Sequence, residues 1–147
     1  MSNEQDLLSR AALTAFRLNG QFLGVAEELA RPAALTAARW QVLGAVLREP
    51  LPVAAIARVM GITRQSVQRV ADLLVADGLA RYEPNPAHRR AKLLAPTEAG
   101  LDAIRRIDPA HAAFAARLAA AAGGQQRLGE LVAALEQLSG LLDTVAD

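Results

Sequence analysis

The side chains best suited to chemistry in this sequence are grouped arginines and glutamines. Arg64, Gln65, Gln68 and Arg69 fall close together, and Arg89, Arg90 and Lys92 form a second cluster further on. Arg pairs bidentately with guanine edges and Gln with adenine edges in the major groove of double-stranded DNA. Thr63 and Ser66 add hydroxyls and amides suited to phosphate at a helix N-terminus. A solvated helix face carries the same residue types, so this segment alone leaves both readings open. Other chemistry is poorly served. There is no nucleophile–base pair and no glycine-rich phosphate loop, so no catalytic residue and no cofactor is expected. The chain has no cysteine, which removes disulfides, thiol sensing and cysteine-based zinc sites. His88 and His111 are far apart, and no metal site is expected.

The element that must position the first cluster is the stretch Gly61 to Gly78, GITRQSVQRVADLLVADG. Thr63 is a good N-cap, because its hydroxyl can accept a free amide proton of the first turn. Gly78 is a good stop, because it tolerates positive φ. Val67, Val70, Ala71 and Leu74 make one apolar stripe, which leaves Arg64, Gln65, Gln68, Arg69 and Asp72 on the opposite side. Upstream, Val53 to Met60 reads as a short helix closed by Gly61. Two short helices around a Gly-Ile-Thr turn are a helix-turn-helix arrangement. Downstream, Leu79 to Glu83 and Leu93 to Ala95 read as two short strands around the turn Pro84-Asn85-Pro86-Ala87 and the basic run His88, Arg89, Arg90 and Lys92. Two strands around a basic tip make a wing, and an arginine at such a tip can enter the minor groove. A basic surface loop without a partner is the alternative.

The flanks are helical. Residues 6–30 keep a broad apolar face that Arg31-Pro32 ends, and Thr36 caps a helix over about 37–48 with Trp40, Leu43, Val46 and Leu47 inward. Thr97 caps a long helix from Glu98 to about Ala122, which Pro109 is expected to kink or interrupt. Gly123-Gly124 breaks the pattern. In the last helix Leu128, Leu131, Leu135, Leu138, Leu142 and Val145 recur at alternating spacings of three and four. That is the seam of a helix packed along another helix, read here as a dimer seam, with an intramolecular core helix as the alternative.

Charge follows the same organisation. Net charge is +1, yet residues 58–92 hold seven Arg/Lys against three Asp/Glu. The excess sits on the helix-turn-helix and the wing, as an electrostatic footprint for nucleic acid does. The first residues lack the basic and apolar regions of a signal peptide, and no apolar run approaches membrane-spanning length. A soluble, cytoplasmic protein without membrane contact is expected.

Four segments together resemble the MarR (multiple antibiotic resistance regulator) family: Thr36 to Leu43 with Trp40, Val53 to Ala57, GITRQSVQRVADLLVADGLA, and HRRAKLLAPTEAG. The likeness covers about residues 30–105. It implies a mainly α fold: a winged helix-turn-helix with a two-stranded β wing, flanked by N- and C-terminal dimerisation helices. Residues 1–34 would form the N-terminal helix of the dimerisation region, 35–100 the DNA-binding domain and 101–147 the C-terminal dimerisation helices. It further implies a homodimer on a palindromic operator, a regulator and most often a repressor, and release by a small aromatic or anionic effector. Phe22 and Trp40 would line the effector cleft, with ordinary core as the competing reading. Carried over by position, residues 63–77 would be the recognition helix and Arg90 the wing-tip arginine. The family's usual acid two residues before that arginine is His88 here, so the ionic brace of the wing is missing. A winged-helix protein–protein interaction module without DNA binding is the alternative function.

Overall fold

In the computed structural model, which describes residues 2–146, the chain opens with helix α1 (Asn3–Ala30). This helix starts earlier than the apolar pattern predicts, because Ser2 and Gln5 cap each other. The Ser2 hydroxyl accepts from the Gln5 amide at 3.1 Å, and the Gln5 side-chain carbonyl accepts from the Ser2 amide at 2.8 Å. Two orphan donors are satisfied reciprocally. A 3-10 turn, Arg31–Ala33, follows, with Ala34 in the left-handed region at φ 59°. Helix α2 (Ala37–Ala45) starts on the Thr36 cap, and the Glu27 carboxylate accepts from the Ala37 amide at 3.0 Å, tying α1 to α2. The helix ends at Ala45 rather than near residue 48. Val46 stays buried in the following turn, whereas Leu47 is exposed and not inward as its spacing predicts.

Helices α3 (Val53–Met60) and α4 (Arg64–Ala76) form the helix-turn-helix, joined through Gly61 at φ 68°. Strands β2 (Ala80–Glu83) and β3 (Leu93–Pro96) form the wing. A further strand, β1 (Leu51–Pro52), pairs antiparallel with β3, so the sheet has three strands in the order β1-β3-β2. The register sets Leu94 opposite both Leu51 and Tyr82. Two residues are too short to show a period, which is why the sequence predicts only two strands. Pro52 lies on an edge strand, where its missing N–H breaks no ladder.

The core gathers apolar side chains from α2 with its flanking residues, α3, α4, β3 and the helix that follows the wing: Leu35, Val42, Leu43, Val46, Ile56, Val67, Ala71, Leu74, Leu94, Ala103, Ile104 and Ile107. The stripe predicted for α4 is buried at Val67, Ala71 and Leu74, with Val70 packed beside it. Helix α5 (Glu98–Ala122) enters this core with its first turns. Thr97 fastens that entry. Its hydroxyl donates to the Gly78 carbonyl at 2.6 Å and accepts from the Gly100 amide at 3.2 Å, while its own amide donates to the Leu79 carbonyl at 3.1 Å. Gly100 packs directly on the same loop; a Cβ there would overlap the Leu79 carbonyl oxygen.

The chain divides into two compact units, Met1–Ile107 and Asp108–Asp147. The second unit holds the rest of α5 and helix α6 (Gln125–Val145), with Gly123 and Gly124 between them at φ 101° and 127°. Pro109 does not interrupt α5, which runs through it. Proline deletes one intrahelical hydrogen bond, and the bonds on either side keep the helix. In α6 no described residue is buried: Leu128 is half-covered, and Leu131, Leu135, Leu138, Leu142 and Val145 are exposed.

Gly100→Ala should therefore lower unfolding stability by roughly 1–3 kcal/mol, because the methyl group meets backbone that must move. Gly44→Ala on α2, where nothing lies within 4 Å, should be neutral or raise stability by up to about 1 kcal/mol. Urea unfolding of both variants measures the contrast. Equal effects would mean that Gly100 is no close-approach position.

Candidate nucleic-acid interface

Burial of Val67, Ala71 and Leu74 turns the other side of α4 outward. Arg64, Gln65, Gln68 and Arg69 are all exposed. At the helix start the Thr63 hydroxyl accepts from the Ser66 amide at 3.1 Å and donates to the Ser66 hydroxyl at 2.9 Å. Thr63 is thus spent on the cap, while Ser66 keeps its own proton to donate outward.

One concavity of about 550 Å³ joins this helix to the wing. Arg64, Gln65 and Gln68 line one wall, Tyr82, Arg90, Ala91 and Lys92 the other, and Pro52, Val53 and Ala54 the end. Two separate basic segments of sequence therefore face one groove. Arg69, His88 and Arg89 are exposed outside it. The contribution of residues 52–54 is invisible in the sequence, because it follows from the pairing of β1 with β3.

The cations of the groove are uncommitted. Among the described residues, ion pairs involve Arg10, Arg39, Arg81, Arg105 and Arg127, and none involves Arg64, Arg69, Arg89, Arg90 or Lys92. Arg81 is the positive charge of the wing that is spent internally: it pairs with Glu83 at 2.8 Å and donates to the Pro96 carbonyl at 2.9 Å. Arg39 pairs with Asp77 at 2.8 Å, linking the start of α2 to the end of α4.

The wing tip is braced without an acid. The Asn85 side-chain carbonyl accepts from the Ala87 amide at 3.0 Å, and the Asn85 backbone carbonyl accepts from the His88 amide at 3.2 Å. The His88 Nδ1 accepts from the Ala91 amide at 3.3 Å, which leaves Nε2 to carry the ring proton toward solvent. Local turn bonds thus fold the loop that presents Arg89 and Arg90.

The sequence model of the MarR family matches residues 35–91. Over 102 residues the chain is 41% identical to Rv2011c, an uncharacterized protein of Mycobacterium tuberculosis, covering 69% of this chain and 71% of that one. The chain belongs to the MarR family. Sco5413, a MarR family transcriptional regulator from Streptomyces coelicolor, superposes with a TM-score of 0.73 at 26% identity, over 93% of this chain and 96% of that one. The M. tuberculosis transcriptional regulator MosR, solved in complex with DNA, shares the fold with a TM-score of 0.72 at 24% identity, over 89% and 96% of the two chains. As a MarR-family protein the chain keeps the winged helix-turn-helix, and His88 stands where the family resemblance leads one to expect a wing acid.

Other sequence candidates lie elsewhere. Phe22 is 52% exposed on α1, so the core alternative does not hold for it within one chain; Trp40 is half-buried and packs against the core. Among the described residues no cluster of three His, Cys, Asp or Glu side chains could hold a metal, and no helix is long and apolar enough to cross a membrane.

The groove also holds a contact between helix and wing. Tyr82 donates to Asp72 Oδ1 at 2.5 Å, and Gln68 Nε2 donates to Asp72 Oδ1 at 2.9 Å and to the Tyr82 hydroxyl at 2.8 Å. Partial burial, then the bond to Asp72 and its negative charge, push the Tyr82 hydroxyl up to about 12, while the bonds from Tyr82 and Gln68 hold the Asp72 carboxyl below its ordinary range. Tyr82 is the one tyrosine of the sequence. Its phenolate absorbance should titrate near 12 rather than 10, and in Asp72→Ala it should fall part-way back, because burial remains. A raised folded-state pKa means that this stabilisation is full below pH ~10 and is lost as pH rises toward ~12. A wild-type midpoint near ~10, the ordinary tyrosine value, would show that the contact does not persist in solution.

Proposed function

We propose that this MarR-family protein is a sequence-specific double-stranded DNA-binding transcription regulator that acts as a homodimer on an inverted-repeat operator, as a repressor. The observation that carries the reading is the groove where Arg64, Gln65 and Gln68 meet Arg90 and Lys92, with its cations unpaired. A rigid pairing of polar helix edge and basic wing fits a duplex: α4 enters the major groove, and the wing follows the backbone into the flanking minor groove. In this reading Arg64, Gln65, Gln68 and Arg69 reach base edges. Ser66 through its hydroxyl and Thr63 through its backbone amide at the helix start, and His88, Arg89, Arg90 and Lys92 on the wing, serve phosphate.

Support for the dimer comes from uncovered apolar surface. Besides the α6 seam, α1 exposes Leu7, Leu8, Leu13 and Phe16. Such area is rare on monomers and marks interfaces. A two-fold pair would set the half-site spacing at about one helical turn. Release by a small aromatic or anionic effector, with Phe22 and Trp40 at its cleft, is the part of the proposal that rests on family membership.

Selection of bound duplexes from a random pool tests the whole reading; it should recover an inverted repeat, and recovery of no common sequence would overturn it. On that repeat Arg90→Ala should weaken binding and flatten the salt dependence by roughly one counterion for each phosphate the arginine neutralises. An unchanged slope in a folded variant would remove the wing from the interface. Leu135→Glu combined with Leu138→Glu should convert the dimer to monomer in sedimentation, because each introduced charge would be buried unpaired. A dimer that survives would place the seam elsewhere.

A further inference from the structure

Gln68, the adenine-type reader on α4, is held from two sides. Its amide nitrogen, the Tyr82 hydroxyl and Asp72 Oδ1 form a nearly equilateral triangle with sides of 2.8, 2.5 and 2.9 Å. Both acceptors therefore lie on one side of the nitrogen, roughly 50–60° apart, whereas the two N–H bonds diverge by about 120°. That separation lets a single hydrogen be shared between the two acceptors. The side-chain carbonyl oxygen has no partner within the chain among the described residues, and Gln68 is exposed at the groove. The orientation of the amide follows from chemistry, since an ionised carboxylate accepts only and so must face the NH₂ end.

We propose that Tyr82 and Asp72 are positioning residues for Gln68: they share one of its N–H groups and fix the amide so that its carbonyl and its second N–H are presented together to an adenine at one place in each half-site. This rests on the DNA-reading proposed above and adds to it that base choice on the recognition helix depends on a residue of the wing. A free glutamine loses several rotamers when it binds and can turn its amide either way, so it discriminates weakly. A glutamine clamped by its helix neighbour one turn on and by strand β2 has that ordering done in advance, and its donor and acceptor order is set. Tyr82 stays protonated across the physiological range, so its O–H continues to point at Asp72 and its oxygen continues to accept from Gln68.

The test uses the full chain and duplex pools. Wild type should enrich an inverted repeat with a preferred adenine at one symmetric pair of positions. Gln68→Ala should remove that preference by about tenfold or more, the range of a bidentate base contact. Tyr82→Phe should lower it at the same positions by roughly threefold or more, as the removal of one hydrogen bond does. Salt slope should stay near wild type and the loss should be confined to that one symmetric pair of positions, which a merely structural role would not predict. Asp72→Ala, an exposed position on α4, removes the shared acceptor and should act in the same way even if Tyr82→Phe proves unstable. Folded Tyr82→Phe and Asp72→Ala proteins that select adenine as strongly as wild type would overturn the inference while leaving the regulator reading intact. The same holds if both variants weaken all sequences equally. Wild type that enriches no repeat would overturn the DNA reading and this inference with it.

Discussion

Strand β3 is the constraint on which the reading surface depends. It hydrogen-bonds on one side to β1, which runs directly into α3, and on the other to β2, which follows α4. Helix-turn-helix and wing are thereby two ends of one sheet-locked body. Without that pairing the arginines of the wing would sit on a free hairpin, and a two-stranded hairpin alone is marginal in water. With it, Arg90 and Lys92 line the same groove as Arg64 and Gln65. Burial of Leu94 at the centre of the strand, with Thr97 and Gly100 clasping the loop behind it, extends the lock to α5.

Electrostatics sorts the charged residues into two kinds. Some are structural, such as Arg39 with Asp77 and Arg81 with Glu83. Those of the groove and wing tip have no counter-ion within the chain among the described residues. Exposed pairs of the first kind add little stability, about 0–1 kcal/mol each, and matter mainly for geometry. Leaving the second kind unpaired costs little in water and preserves them for phosphate, where the release of condensed counterions drives association.

Much of this is legible in the residues, and the failures have local causes. The α4 stripe, its Thr63 cap and the Gly61 turn are readable because periodicity and capping act over a few residues. The start of α1 is misplaced by its apolar period, which begins only at Leu7, although Ser2-x-x-Gln5 spells a capping box. Strand β1 leaves no trace, and with it goes the contribution of Pro52, Val53 and Ala54 to the groove. Gln68 and Asp72 stand four apart on a helix, a spacing at which contact is expected. Tyr82 joins them only through the fold. In the sequence His88 reads as the loss of an ionic brace; the turn bonds of Asn85 and His88 that replace it depend on loop geometry that no sequence period encodes.

The sheet that carries the wing also ends itself. One outer edge is a strand of two residues, half of it proline, that passes at once into a helix; the other carries Arg81 and Glu83. Short length, proline and these charges blunt both borders against the strand-by-strand growth that exposed sheet borders invite. Edge-to-edge joining of copies is thereby disfavoured against packing of helical faces, which helps keep the basic hairpin clear of its own kind.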